Sequence, residues 1–182
     1  MLAQEGDFMQ NKDINDSKLF LSVTYGELAI KDVIYLIKSF LEEEPSSIYS
    51  LVVGTDSHEK NTHDNVNHAI NLVTAILVHR RGYGGRYFWK KKEALNIHTL
   101  RDKIYAETLE SLSFASTFVP LLKKSLNGKT PLYNLEIHID VGEHGDTRDM
   151  IKEVVGMVAG NGFVARTKPN AYGASCVADR HT

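Results

Sequence analysis

The stretch SLVVGTDSHE, residues 50–59, decides the fold of this chain. Its three consecutive apolar residues, Leu51 to Val53, are typical of a strand that is buried on both faces of a sheet. Small and polar residues replace them over 54–57, so we expect Asp56 to close the strand. In open sheets with parallel strands, ligands gather at the carboxyl ends of the strands. The stretch therefore predicts a central strand that ends on an acidic group at a ligand-binding edge.

Two β-rich segments follow this strand, residues 71–80 and 85–94, and the glycine-containing connector between them is typical of a hairpin. Thr99 and Asp102 resemble a capping box at the start of a long helix, which we expect to end near Leu126. Three successive strands favour an antiparallel meander, and the helix that follows must cover one of its faces.

The second half of the chain predicts a β-α-β unit. Residues 134–142, NLEIHIDVG, alternate between apolar and polar side chains, as a strand does. A helix over 147–160 and a strand over 163–167 follow. Parallel strands joined by a crossover helix fit this order. The whole pattern therefore predicts an α/β protein with a mixed sheet flanked by helices.

An amphipathic pattern near the start of the chain predicts one further helix, over about residues 27–44, which Pro45 ends. Residues 1–24 are expected to form a loose tail, and residues 25–182 a single domain. The polar N-terminus has neither the apolar core of a secretory signal nor a membrane span. We therefore expect a cytoplasmic protein with no membrane partner.

Composition and charge exclude several classes of protein. The chain has 182 residues, which fits one domain, and 42% of them are hydrophobic. Lys and Arg number 21 against 23 acidic residues, so a generally basic nucleic-acid binder is excluded. The single cysteine, Cys176, allows neither an intrachain disulfide nor a cysteine-based zinc site.

Four acidic residues stand where folding alone would not place a charge. Asp56 and Asp140 close two predicted strands, and Glu107 lies on the otherwise apolar stripe of the long helix. Asp179 lies at the extreme C-terminus. Structural alternatives exist for each: a turn or cap for the two strand-end aspartates, an ion pair with a core-facing arginine for Glu107, and a solvated charge for Asp179. Glu110 competes with Glu107, but we expect it on the flank of the helix.

A cluster of carboxylates implies a cation. Carboxylates within about 4–6 Å of one another repel, and one of them takes up a proton unless a cation intervenes. Magnesium prefers oxygen ligands and is held by carboxylates together with substrate phosphate. Two such ions can activate a water and stabilise the leaving oxygen of a phosphodiester. Three or four carboxylates on separate elements would suit that chemistry.

The strings VVGTDSH (52–58), HIDVG (138–142) and ADRHT (178–182) resemble the YkuK-like family of ribonuclease H-like proteins. The resemblance covers about residues 25–182. It implies a ribonuclease H-like fold: a five-stranded mixed sheet in which strands 1–3 are antiparallel and strands 1, 4 and 5 are parallel. It also implies a metal-dependent nuclease that uses Mg or Mn. The acids that bind metal in the wider superfamily correspond here to Asp56, Glu107, Asp140 and Asp179.

Three histidines lie two residues from three of these acids: His58 beside Asp56, His138 beside Asp140 and His181 beside Asp179. Residues i and i+2 of a strand share a face. The histidines are therefore candidates for extra ligands, which would favour manganese or zinc over magnesium. Solvated or hydrogen-bonded histidines are the structural alternative.

The segment HRRGYGGRYFWKKK, residues 79–92, has six basic residues, interleaved aromatic residues and no acid. Basic groups neutralise phosphates and aromatic faces stack on bases. The nucleic-acid contacts predicted from this segment and from the C-terminal region are Arg80, Arg81, Arg86, Lys90, Lys91, Lys92, Trp89, Lys168 and Tyr172. A solvated hairpin with one core-facing aromatic row is the alternative.

The sequence therefore favours a metal-dependent nuclease that acts on RNA or DNA. A binding module for nucleic acid or protein, without catalysis, is the second hypothesis. A metallohydrolase for a small molecule, with His58, His138 and His181 as ligands, is the third. The sequence does not indicate the oligomeric state.

Overall fold

A seven-stranded mixed sheet organises the computed structural model. The model describes residues 19–59, 69–127, 133–142 and 147–181, and for 172–175 it describes the backbone but not the side chains. The strands are β1 (Phe20–Ser22), β2 (Gly26–Leu28), β3 (Tyr49–Glu59), β4 (Ile70–Arg80), β5 (Gly84–Ala94), β6 (Tyr133–His138) and β7 (Val164–Arg166). The helices are α1 (Ile30–Glu42), α2 (Leu100–Leu126), α3 (Ile151–Gly160), which follows a 3-10 turn at Arg148–Met150, and α4 (Tyr172–Asp179).

The strand order is β2-β1-β5-β4-β3-β6-β7. β3, β4 and β5 form the antiparallel meander, while β3, β6 and β7 are parallel, so the predicted mixed sheet is confirmed. The predicted number of five strands is wrong, because a short hairpin of β1 and β2 extends the sheet beside β5. Each of these two strands has only three residues, which is too short for a periodic pattern to show in the sequence.

The N-terminal segment and the first helix also differ from the prediction. Residues 1–18 lie outside the described part of the chain, but Phe20, within the segment expected to be a loose tail, is fully buried. Its ring lies 5.5 Å from that of Phe114. The predicted helix is present but shorter, since β2 occupies its expected start and α1 ends at Glu42. No helix in the described ranges is long and apolar enough to cross a membrane.

The helices divide unequally between the two faces of the sheet. α1, α2 and α3 pack on the face that carries Leu51, Val53 and Phe88, which we call the α2 face. α4 packs on the opposite face, the α4 face, where Ala178 lies in a small cluster of Val52, Val73, Ala75 and Trp89. The larger core therefore lies on the α2 face, and the α4 face has only a thin apolar layer.

α2 begins and ends as predicted. The backbone N–H of Asp102 donates to Thr99 Oγ1 at 3.1 Å, and Asp102 Oδ2 accepts from the Thr99 N–H at 2.9 Å. Asn127 ends the helix in the left-handed conformation, with φ of 50°. This capping fixes which residues of α2 face the sheet.

Glu110 on α2 is buried and not on the flank of the helix, so that prediction is wrong. Its carboxylate accepts hydrogen bonds from Lys90 Nζ at 2.7 Å and from Lys92 Nζ at 2.6 Å. Lys90 is 4% exposed and its ammonium lies 4.9 Å from the ring of Phe114. A polymer cannot reach Lys90, which removes it from the predicted nucleic-acid contacts.

We predict that Glu110→Ala destabilises the fold strongly. The substitution takes the carboxylate away from a buried ammonium, and breaking a buried ion pair in this way costs about 3–5 kcal/mol of unfolding free energy. Urea denaturation measures the loss. The double variant Lys90→Met/Glu110→Leu, which removes both charges, is the matched control and should recover most of the stability. A Glu110→Ala protein within about 1 kcal/mol of wild type would contradict the prediction.

Candidate active site

The site lies where β6 separates from β3. The two strands pair in parallel from Tyr49 and Tyr133 as far as Gly54 and His138. Two residues further in the same register, Asp140 falls opposite Asp56. β3 itself continues to Glu59 because it stays paired with β4. The prediction that Asp56 closes its strand is therefore wrong, but Asp56 does lie at the end of the parallel pairing.

Three of the four predicted carboxylates line one cleft. Asp56, Glu107 and Asp140 contribute to a cavity of about 210 Å³ together with Lys103 and Lys168. The remaining lining residues are Leu100, Ile104, Gly142 and Thr147. The fourth carboxylate, Asp179, is not among the lining residues, but it lies close enough for its negative charge to act on Asp56. The structure thus places three predicted residues in the cleft and the fourth beside it.

Glu107 enters the cleft from the α2 face. As the stripe on α2 predicted, it is buried, with 4% of its surface exposed. Ser57 Oγ donates to its Oε1 at 2.6 Å, and Lys103 Nζ lies 3.9 Å from the same oxygen. Burial, with help from the charges of Asp56 and Asp140, raises the pKa of Glu107 to about 7, although the Ser57 hydrogen bond and Lys103 oppose the shift.

Asp56 enters from the α4 face, since neighbouring residues of a strand point to opposite faces and Ser57 faces α2. Burial is the main cause that raises the pKa of Asp56, and the negative charges of Asp140 and Asp179 add to it. The backbone N–H of Ser57 and the ammonium of Lys103 act in the other direction. Acids from both faces of the sheet thus reach one cleft, because β6 is no longer paired with β3 at this level.

Lys168 forms an ion pair with Asp140. Its Nζ lies 2.8 Å from Asp140 Oδ1. That hydrogen bond, and then the charges of Asp140, Asp56 and Asp179, raise the pKa of Lys168. One ammonium group therefore partly neutralises three aspartates. Ser57 and Lys103 were not among the residues predicted from the sequence. A serine next to a strand aspartate and a lysine one turn before a buried glutamate are the signals that could have identified them.

The histidines do not assemble around the acids. His58 is exposed, His138 is 4% exposed with its Nε2 3.4 Å from Glu136 Oε2, and His181 stacks on Trp89. Burial lowers the pKa of His138. Within the described ranges, no group of three or more His, Cys, Asp or Glu residues has the geometry to hold a metal ion. The described residues therefore do not form the histidine site of the third hypothesis. The acids among them form no complete metal cage either.

The basic side chains of the hairpin do not form one surface. Alternation along β5 sends Arg86, Lys90 and Lys92 to the α2 face, with Phe88, and sends Lys91 to the α4 face. Arg80 and Arg86 contact Glu43 of α1 at 3.9 and 2.6 Å. The basic residues predicted as nucleic-acid contacts in this segment are therefore divided between the two faces of the sheet. The side chain of Tyr172 lies outside the described part of the chain.

The tip of the hairpin between β4 and β5, at residues 80–84, lies far from the cleft. Arg80 pairs with Tyr49 while Val73 pairs with Asp56, so Arg80 and Arg81 lie about 23 Å along the strands from the cleft. Lys91 is nearer, because it pairs with Val73 and so lies in the same row as Asp56 on the α4 face. Trp89 is 8% exposed, and His181 covers its ring. Of the predicted basic contacts, Lys91 and Lys168 are therefore the ones placed close to the acids.

We predict that the contribution of Glu107 to the stability of the metal-free protein falls as the pH rises from about 4.5 to about 7. Folded Glu107 keeps its proton to about pH 7, whereas the unfolded chain releases it near the ordinary value of 4.5. A difference of this size corresponds to roughly 3 kcal/mol of unfolding free energy. Glu107→Gln should therefore exceed wild type in stability at pH 8 by up to that amount and match it near pH 4.5.

Urea unfolding in EDTA at the two pH values measures this difference. Glu59→Gln, which removes an exposed carboxylate from the same strand, is the control and should leave the pH dependence of wild type in place. If Glu107→Gln were less stable than wild type at pH 8, Glu107 would be a well-compensated structural carboxylate and the electrostatic description of the cleft would be wrong.

Comparison with known proteins agrees with this architecture. The model of the family described as "Ribonuclease H-like" matches residues 32–182. A protein of Bacillus subtilis (strain 168), "Uncharacterized protein YkuK", is 31% identical over 175 residues, which cover 92% of this chain and 98% of that protein. No solved structure gives a significant match. On the evidence of the mixed sheet, the family match and this nearly full-length similarity, the chain belongs to the YkuK-like family of ribonuclease H-like proteins.

Proposed function

We propose that this protein is a metal-dependent nuclease that hydrolyses phosphodiester bonds of RNA or DNA. Asp56, Glu107 and Asp140 are the proposed catalytic carboxylates, with Asp179 as a fourth. One observation carries the proposal: carboxylates from three separate elements, β3, α2 and the end of β6, line the same cleft. Folding alone gives no reason to collect them there, because burying like charges together is unfavourable.

The donor set suits magnesium or manganese. The cleft offers carboxylate oxygens, which these cations prefer, and within the described ranges no histidine or cysteine lines it. Among the described residues the acids do not form a finished cage, and Lys168 Nζ is hydrogen-bonded to Asp140 Oδ1. Binding of a divalent cation at Asp140 Oδ1 therefore requires Lys168 to give up that hydrogen bond. When bound, one or two such ions would activate a water and stabilise the charge on the leaving oxygen.

The chain's own residues supply position and charge. Ser57 fixes Glu107 through Oε1, so the carboxylate is oriented before any ligand arrives. Burial and the neighbouring aspartates hold the pKa of Glu107 near 7 in the metal-free cleft, so binding of a cation there would release its proton near neutral pH. Lys103 and Lys168 are the cations in the wall, and either can contact a phosphate oxygen.

The proposed substrate path crosses the α4 face. Lys91 and Lys168 are the nearest basic contacts for a phosphate backbone, and each would add to salt-dependent binding. Arg81 at the hairpin tip is exposed, whereas Arg80 and Arg86 contact Glu43 on the α2 face. A bound strand must extend for about 23 Å to touch both the tip and the cleft, so Arg81 can contribute only to a polymer of several nucleotides.

A binding module without catalysis is the second candidate function. The hydrogen bond from Lys168 to Asp140 favours it, because a lysine that stays there would keep a cation away from one of the acids. In that case the two lysines of the cleft and Lys91 would bind nucleic acid, and the carboxylates would only position them.

We predict that purified protein cleaves RNA, DNA or a hybrid only with Mg²⁺ or Mn²⁺, and that Asp56→Asn and Asp140→Asn each reduce the rate at least 100-fold. A loss of that size corresponds to about 3 kcal/mol of transition-state stabilisation. The assay uses labelled single strands, duplexes and hybrids with either ion and with EDTA. Asp149→Asn, which changes an exposed acid on the 3-10 turn, is the matched control and should keep the wild-type rate.

Cleavage that survives both substitutions would refute the proposed site. Salt-sensitive binding with no cleavage in either ion would instead support the binding module. The same assays therefore distinguish the two candidate functions.

A further inference from the structure

An aromatic stack holds the end of the chain on the sheet. The ring of His181 lies flat on that of Trp89, with a centroid distance of 3.6 Å and an interplanar angle of 3°. Tyr87 flanks the pair, 5.9 Å from His181 and 5.7 Å from Trp89. The sequence made Trp89 a candidate for stacking on bases and His181 a candidate for an extra metal ligand, but in the structure the two rings stack on each other.

Packing against β3 and β4 holds α4 on the sheet. It has eight residues, which is shorter than a helix that is stable by itself, so it needs this packing. Ala178 is fully buried against Val52, Val73 and Ala75. Beyond the C-terminal end of α4, the ring of His181 stacks on that of Trp89. Asp179 therefore lies in the chain between the buried Ala178 and the stacked His181.

The stack fits an anchor better than a metal ligand. Among the described residues, the buried Nε2 of His181 has no hydrogen-bond partner. Lys91 and Arg180 lie close enough for their positive charges to act on the ring, and they would repel a cation there.

We propose that the stack of His181 on Trp89 positions Asp179: it fixes the C-terminal end of α4 so that the Asp179 carboxylate stays beside Asp56. The proposal deepens the proposed function, because it rests on Asp179 as the fourth carboxylate of that site. Trp89 and His181 are positioning residues in this arrangement, since they act through Asp179 and not on the substrate.

Three variants test the proposal. His181→Ala removes the stack, His181→Phe keeps an aromatic face without ring nitrogens, and Asp179→Asn removes the charge. Hydrogen exchange of the α4 amides reports the docking of the helix, and titration calorimetry with Mn²⁺ reports the site. Trp89 is the only tryptophan of the chain, so its emission provides a second measure of the stack.

The expected results differ between the variants. His181→Ala should raise exchange of the α4 amides about tenfold, which corresponds to the energy of one aromatic pair. It should also shift Trp89 emission to the red and weaken Mn²⁺ binding as much as Asp179→Asn does. His181→Phe should restore slow exchange and Mn²⁺ affinity. Asp179→Asn should weaken Mn²⁺ binding while leaving exchange slow.

Several outcomes would overturn the inference. One is unchanged α4 exchange in His181→Ala. Another is fast exchange of the α4 amides in His181→Ala together with wild-type Mn²⁺ affinity, if Asp179→Asn has lost Mn²⁺ affinity. Failure of His181→Phe to restore exchange would show that stacking is not the cause. If wild-type protein takes up no Mn²⁺, the proposed function fails, and the exchange results alone then decide whether the stack places the helix.

Discussion

The separation of β6 from β3 after Gly54 and His138 is the constraint on which the site depends. Up to that pair, backbone hydrogen bonds close the gap between the strands and no side chain can pass from one face to the other. Beyond it, Asp56 from the α4 face, Glu107 from the α2 face and Asp140 from the departing chain reach one cleft. A shift of one residue in this parallel register would turn Asp140 to the opposite face and dissolve the group.

Two glutamates of α2 show how the same helix supports stability and chemistry. Glu107 and Glu110 are both buried, one turn apart. Hydrogen bonds from Lys90 and Lys92 overcome the effect of burial and hold the pKa of Glu110 below its usual range, so it is a paired structural charge. Glu107 has a serine hydroxyl and a more distant lysine as partners and two aspartates as neighbours, and its pKa rises to about 7. Only the second arrangement leaves an electrostatic conflict that a ligand can resolve.

Much of this could be predicted from single elements. The apolar run before Asp56, the alternation of NLEIHIDVG and the capping of α2 by Thr99 are local patterns, and the structure confirms the elements they predict. The buried position of Glu107 followed from helical periodicity. What could not be predicted depends on pairing between distant segments: the hairpin of β1 and β2 beside β5, the ion pair of Lys90 with Glu110, and the contact of His181 with Trp89. The basic hairpin shows the limit clearly, because a run of lysines looks uniform in sequence but alternates between two faces in a strand.

The central claim is that these carboxylates share a divalent cation. Anomalous diffraction from crystals soaked in Mn²⁺ tests it most directly. We predict a manganese peak within metal–oxygen bonding distance, about 2.0–2.6 Å, of both Asp56 and Asp140, with Lys168 moved away from Asp140. A cleft without a peak, in which Lys168 keeps its hydrogen bond to Asp140 at high Mn²⁺ concentration, would contradict it.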